Sequence, residues 1–282
     1  MAIPKRILGK TGIEVSALGL GGVCWNLLDE DKDAVAVVLR AIDRGITYLD
    51  TASSYKQSER RLGLALMERD RSKLFVTTKC IKRSGDEVKR EIEESFERLQ
   101  LETIDLMQLH AIDEEENLDE VLGSDGALRV IEEYQAAGKI RFVGLTGHTA
   151  PAQFERMLGE YDFDTVLNPA GPVNRVWNDF IGTSMAAARR LGMGVVAMKV
   201  MAYGQVPPED RPDYLRYTMG QDVDVAIVGM DTVEQVEENV RVAEAFAPLE
   251  TQQERALLER ALALVPEARK DLWWLPQEVL AS

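Results

Sequence analysis

The chain is poor in the residues that staple small folds or build metal centres. Its 282 residues include two cysteines, Cys24 and Cys80, and two histidines, His110 and His148. Two isolated thiols exclude a disulfide framework and a cysteine-based zinc cluster, and they read as reduced structural groups. An excess of cations is missing too. Against 48 acids stand 33 bases, a net charge of −15, and that field disfavours nucleic acid and anionic membrane surfaces as partners. It still permits a locally basic pocket for one phosphorylated cofactor. No apolar run approaches the roughly 20 residues that span a bilayer. The opening MAIPKRILGK lacks the apolar stretch of a signal peptide, so a cytoplasmic location is expected. P-loop, nucleophile elbow and metal-ligand cluster are absent. LGLGGVC at 18–24 begins like a Gly-x-Gly-x-x-Gly loop, but Cys24 takes the place of the last glycine, so the dinucleotide fingerprint fails.

What is present is alternation. Short apolar, β-branched runs recur as VSALGLGG, ITYLDTA, KLFVTTK, IDLMQLH, IRFVGLTGH, DTVLNPA, GVVAMKV and DVAIVGM. These are eight candidate strands, and stretches with helical periodicity lie between them. Asp33 to Arg44 puts Ala34, Val37, Val38, Ala41 and Ile42 on one face. Val88, Ile92, Phe96 and Leu99 make the stripe of a later helix. Eight such units at intervals of about 25 to 35 residues predict an α/β fold, a single (β/α)8 TIM barrel spanning residues 1–282 as one domain. Residues 1–14 read as a β-hairpin that plugs the base of the barrel. The C-terminal helical tail is expected to run through Val265 and turn at Pro266. Trp273 and Trp274 are expected to pack it on the outer surface rather than to line a ligand site.

Four polar residues stand out against this pattern: Asp50 and Tyr55 in LDTASSY, Lys79 in VTTK, and His110 in LMQLH. Strand ends of a parallel barrel share one face, so residues this far apart in sequence can converge. Each alone has an ordinary reading as a turn, packing, solvated or core residue. Together they equip a site for proton transfer to a carbonyl oxygen. A phenol titrates near 10, and an adjacent ammonium favours its ionised form. Lys79 supplies that ammonium and Asp50 orients it. Tyr55 is the general acid, and His110 is a second donor to the same oxygen.

With these motifs the sequence resembles the aldo-keto reductase family. DTASSY matches its Asp-Thr-Ala-x-x-Tyr motif, VTTK and LMQLH its strands ending in lysine and histidine, and the likeness runs from LGKTGIEVSALGLGG to IVGMDTVEQVEENV. The resemblance implies a barrel that binds NADPH, or less often NADH, and reduces a small-molecule aldehyde or ketone. It also implies a cofactor site. Gly21 and Gly22 let the backbone approach the nicotinamide, and Asp50 lies beside it. Thr146, Gly147 and His148 stand where the family usually has Ser-Asn, and Asn168 lies beside Leu167 at the glutamine position. Met198 replaces an aromatic ring, followed by Lys199, which can reach the pyrophosphate, and Val200. Gly229, Met230, Thr232, Gln235, Glu238 and Asn239 form the adenosine end, with no cation matched to a 2′-phosphate.

Trp25, Tyr55, His110 and Tyr203 are the expected substrate-side residues, with the loop 111–127 as another wall. That loop holds six acids between Asp113 and Glu120, which read as a solvated face. A monomer or small homo-oligomer is expected. The alternative reading is a nicotinamide-binding regulatory or redox-sensing module with little turnover.

Overall fold

The computed structural model describes residues 2–268 and 270–275. Two short strands come first, β1 (Lys5–Ile7) and β2 (Glu14–Ser16), paired antiparallel with Arg6 opposite Val15. The turn between them depends on Gly9, which has φ +44°. A Cβ there would stand 2.2 Å from the backbone nitrogen of Gly194, so only glycine fits without displacement. Lys10 N–H donates to Gly192 O at 2.6 Å, and the Arg6 guanidinium donates to Met219 O at 2.7 Å and to Val223 O. These bonds tie the hairpin to segments that lead into two barrel strands, as the plug reading requires.

The barrel strands are β3 (Leu18–Gly21), β4 (Tyr48–Asp50), β5 (Phe75–Cys80) and β6 (Ile104–Leu109), then β7 (Ile140–Thr146), β8 (Thr165–Pro169), β9 (Gly194–Met198) and β10 (Val225–Gly229). They close in sequence order as a parallel barrel, each beside the next and β10 beside β3. Seven fall inside an expected run, and β5 runs one residue past its own, to Cys80. The helices α1 (Asp31–Asp43), α2 (Ser58–Leu66), α3 (Gly85–Leu99), α4 (Glu115–Leu122) and α5 (Ala127–Ala136) belong to the first half of the alternation. The second half holds α6 (Pro151–Met157), α7 (Pro172–Trp177), α8 (Ala186–Arg190), α9 (Arg211–Gly220), α10 (Val233–Glu244) and α11 (Thr251–Ala268). Helix α1 buries Ala34, Val37, Val38 and Ala41, with Ile42 half-buried at the edge of the stripe. Full burial of each valine stabilises the fold by about 1.5–3 kcal/mol.

Two expectations need correction. Residues 111–127 are not loop throughout, because α4 occupies Glu115–Leu122. Leu118 and Val121 are buried on one side of it, and this short stripe was masked by the surrounding acids. Helix α11 also does not stop at Val265; it includes Pro266 and runs to Ala268. A proline so near the helix end forfeits one backbone bond, while Val265 stays 2% exposed in the core cluster.

The chain forms two compact units. One comprises Gly19–Thr146 with Gly229–Glu238, the other Met1–Leu18, Gly147–Val228 and Asn239–Ser282. In the second, Val173, Tyr214, Tyr217, Leu257, Ala261 and Trp274 join α7, α9, α11 and the segment after α11 in one hydrophobic cluster. Among the described residues no helix is long and apolar enough to cross a membrane.

Candidate active site

In the first unit, strand register sets the geometry. Asp50 lies opposite Thr77 on β5, and Lys79 lies opposite Gln108 on β6. Residues 77 and 79 therefore point the same way, as do 108 and 110. Lys79 is buried, and its Nζ donates to Asp50 Oδ2 at 2.6 Å and to the Thr51 carbonyl at 2.7 Å. Burial alone would pull the lysine pKa down, but the Asp50 carboxylate and then Tyr55 outweigh it. The ammonium is held above its ordinary value.

After β4 the ladder continues through Thr51 N–H to Thr77 O and Ser53 N–H to Lys79 O. A turn closed by Tyr55 N–H on Ala52 O then brings the phenol ring over the lysine. Lys79 Nζ lies 5.1 Å from the Tyr55 ring centre. The His110 ring meets Tyr55 edge-on, with centres 5.8 Å apart at 79°, and His110 Nδ1 is 3.5 Å from Ser54 Oγ. The four expected residues are thus brought together: a buried charged pair beneath, a half-buried phenol and an imidazole above.

Three further residues hold this arrangement, two of them inside the motifs and one on α3. Thr77 Oγ1 donates to Asp50 Oδ1 at 2.7 Å, and Gln108 Nε2 donates to the same oxygen at 3.2 Å. Both precede a tetrad residue by two positions, which is the signal that finds them. Glu91 accepts from the backbone N–H groups of Ile81 and Lys82 and from Ser53 Oγ. It staples the segment after β5 to the one after β4. An acid inside the Val88–Ile92–Leu99 stripe was its signature.

The expected ligand residues of this unit carry internal duties. Trp25 is fully buried and donates Nε1–H to Met230 O at 3.0 Å; it is a core residue, not an open wall of a substrate cleft. A Cβ on Gly22 would come within 2.5 Å of Ser58 Oγ and 2.7 Å of the Trp25 ring, so packing already requires that glycine. Thr146 Oγ1 accepts from Ala111 N–H at 3.0 Å, leaving its own hydrogen to donate. Gly21 O faces the Cys24 thiol at 3.6 Å, and burial pushes that thiol up to about 12. Thr232 Oγ1 accepts from Gln235 N–H, and Gln235 Oε1 from Asp231 N–H. This is a cap on α10 of the capping-box type. Gly229 and Glu238 are exposed.

In the second unit, Asn168 is buried. Its Nδ2 donates to Gly147 O at 3.0 Å, and its Oδ1 accepts from Ser184 Oγ at 3.1 Å. Both ends of the amide are therefore engaged in the fold. Val200 is buried, Met198 and Asn239 are half-buried, and His148 lies with its ring 5.0 Å from that of Trp273. Lys199 Nζ is 4.9 Å from the Tyr203 ring centre and 5.0 Å from those of Trp273 and Trp274. Trp274 is buried in the cluster with α7, α9 and α11, where packing on the outer surface was expected. Trp273, half exposed, lies against His148, and both rings meet Lys199. Residues 269 and 276–282 of the expected C-terminal tail lie outside the described residues.

Comparison with known proteins accords with this geometry. The family model described as aldo/keto reductase family matches residues 17–214. An L-galactose dehydrogenase of Arabidopsis thaliana is 31% identical, covering 96% of this chain and 97% of the plant protein. An aldo-keto reductase of Bacillus subtilis (strain 168) is 34% identical, covering 49% of this chain and 45% of its own. Among solved structures, the holo form of an aldo-keto reductase from Bacillus halodurans superposes with a TM-score of 0.74, at 24% identity and 92% and 96% coverage.

Proposed function

Because the chain belongs to the aldo-keto reductase family, we propose that it reduces the carbonyl of a small aldehyde or ketone with a nicotinamide cofactor, Tyr55 giving the proton. The observation that carries the reading is Lys79, buried yet held charged by Asp50 and 5.1 Å from the Tyr55 ring centre. The donor set fits a nicotinamide cofactor at its reacting end: two hydrogen-bond donors, Tyr55 and His110, beside one fixed cation. That set suits an oxygen gaining negative charge. When bound, the cofactor supplies the hydride that goes to the carbonyl carbon. Tyr55 O–H gives its proton to the carbonyl oxygen as charge builds there, and the phenolate left behind is balanced by Lys79. His110 donates a second hydrogen bond to that oxygen. Asp50, itself fixed by Thr77 and Gln108, keeps Lys79 pointed at the phenol side.

In the first unit, Gly21, Gly22, Thr146, Gly229, Met230, Thr232, Gln235 and Glu238 remain the proposed cofactor contacts, on the family resemblance. In the second they are Gly147, His148, Asn168, Met198, Lys199, Val200 and Asn239. Tyr203 is proposed for the substrate side. NADPH is the proposed cofactor, but residues 229–239 contain no Lys or Arg. Discrimination against NADH should therefore be weak. Separate fluorescence titrations are expected to give dissociation constants within about tenfold of each other, a difference under 1.4 kcal/mol. A ratio above a hundredfold would contradict this reading of the adenosine end. A cytoplasmic monomer or small homo-oligomer, folded as one domain, completes the proposal.

The likeness to a plant L-galactose dehydrogenase favours a second reading, of direction. The same four residues would serve alcohol oxidation, in which Tyr55, as phenolate, takes the hydroxyl proton and the oxidised nicotinamide cofactor would accept the hydride from carbon. Assays with an aldehyde panel plus NADPH, and with a sugar panel plus the oxidised cofactor, separate the two. Bound cofactor without turnover in either direction would favour a regulatory binding module.

A further inference from the structure

The turn that carries His110 is an exposed problem in hydrogen-bond accounting. Strand β6 ends at Leu109, and His110 N–H makes the last ladder bond, to Cys80 O at 2.9 Å. Ala111 then adopts φ +54°, a conformation that costs a non-glycine residue about 1–2 kcal/mol. It takes the chain off the ladder, so the following backbone groups need other partners. Thr146 supplies them on one side, its Oγ1 accepting from Ala111 N–H and its carbonyl from Ile112 N–H at 2.8 Å. Arg83 supplies them on the other. Its Nη2 donates to His110 O at 2.7 Å and to Ala111 O at 3.2 Å. One guanidinium nitrogen thus serves both carbonyls of the turn, and the side chain comes from the segment directly after the strand that bears Lys79.

We propose that Arg83 is a positioning residue for His110. By holding both carbonyls of the 110–111 turn, it sets where the imidazole stands against Tyr55, and so whether both donors reach one oxygen. The geometry supports this over a role in general stability. Arg83 is only half-buried and bonds nothing else among the described residues by hydrogen bond. Its neighbouring acids Glu120, Glu91 and Asp113 act on it only at longer range. The role rests on the carbonyl-reductase reading for its kinetic consequence, but its structural consequence stands alone. A misplacement of about 1 Å in such a site costs on the order of a hundredfold in rate.

The test uses Arg83→Gln and Arg83→Lys in the full chain. The two histidines give two imidazole Cε1–H signals, and His110→Asn identifies one of them. Arg83→Gln is expected to shift the His110 signal, which senses the Tyr55 ring edge-on, and to leave the His148 signal in place. It should lower kcat by about ten- to a hundredfold with the cofactor dissociation constant within twofold. Arg83→Lys, which retains a charged donor, should recover part of both. An unmoved His110 signal in a folded Arg83→Gln protein would overturn the proposal. So would a kcat at the wild-type level, or a loss that appears only as weaker cofactor binding. If the wild-type protein reduces no carbonyl compound, the function reading fails, whereas the His110 signal still decides the role of Arg83.

Discussion

Asp50 is the residue on which the other members of the site depend. One oxygen accepts from Lys79 and the other from Thr77 and Gln108. Desolvating an ammonium costs several kcal/mol unless a partner and further hydrogen bonds compensate. Removing Asp50 leaves that charge buried with the Thr51 carbonyl as its hydrogen-bond acceptor and no carboxylate bonded to it. Asp50→Ala is accordingly expected to lower stability by about 3–5 kcal/mol, the range for breaking a buried pair. Urea unfolding measures it, and a loss below about 1 kcal/mol would show that the pair is not what holds the strand ends. The four residues of the proposed site were legible in sequence because each is a polar type at, or just past, the end of a strand-like run. Thr77 and Gln108 were less so, since β5 and β6 are buried on both faces and show no alternation of polarity. Thr146 and Asn168 were assigned to the cofactor by their place in the family pattern, and Trp25 to the substrate side by its place after the first strand. Position in the sequence does not reveal that Ala111, Gly147 and Met230 already take their hydrogen bonds.

At the scale of elements, strands were easier to read than what joins them. Eight β-branched runs bounded by turn residues gave eight strands, whereas α4 hid among acids and α11 ran through its proline. Both misses have one cause. Tertiary burial of Leu118, Val121 and Val265 outweighs local composition. The N-terminal hairpin shows the opposite case, in which one local requirement governs placement. At Gly9 a methyl group would strike the Gly194 and Met193 backbones at 2.2–2.3 Å, with no flexible side chain to yield. Gly9→Ala should therefore destabilise the protein by about 1–3 kcal/mol through overpacking. Its kcat should be unchanged at temperatures where it remains folded. Thermal unfolding and steady-state rates check this, and an unaltered midpoint would contradict the close approach.

For the molecule as a whole, the barrel explains why residues 50, 55, 79 and 110 come together, and the acidic net charge of −15 explains why small molecules rather than nucleic acids are its expected partners. Asp50, Tyr55, Lys79 and His110, with Thr77, Gln108, Glu91 and Arg83, all lie in one compact unit, so the proposed carbonyl chemistry is concentrated there. That concentration makes one comparison decisive. Tyr55→Phe removes a single oxygen and keeps the ring that packs against Lys79 and His110. With NADPH and an activated aldehyde, the variant is expected to lose about 10²- to 10⁴-fold in kcat, the contribution of general acid catalysis, while its NADPH dissociation constant stays within twofold of the wild type. Turnover retained at the wild-type rate would contradict the assignment of Tyr55 as proton donor, and with it the central account of the site.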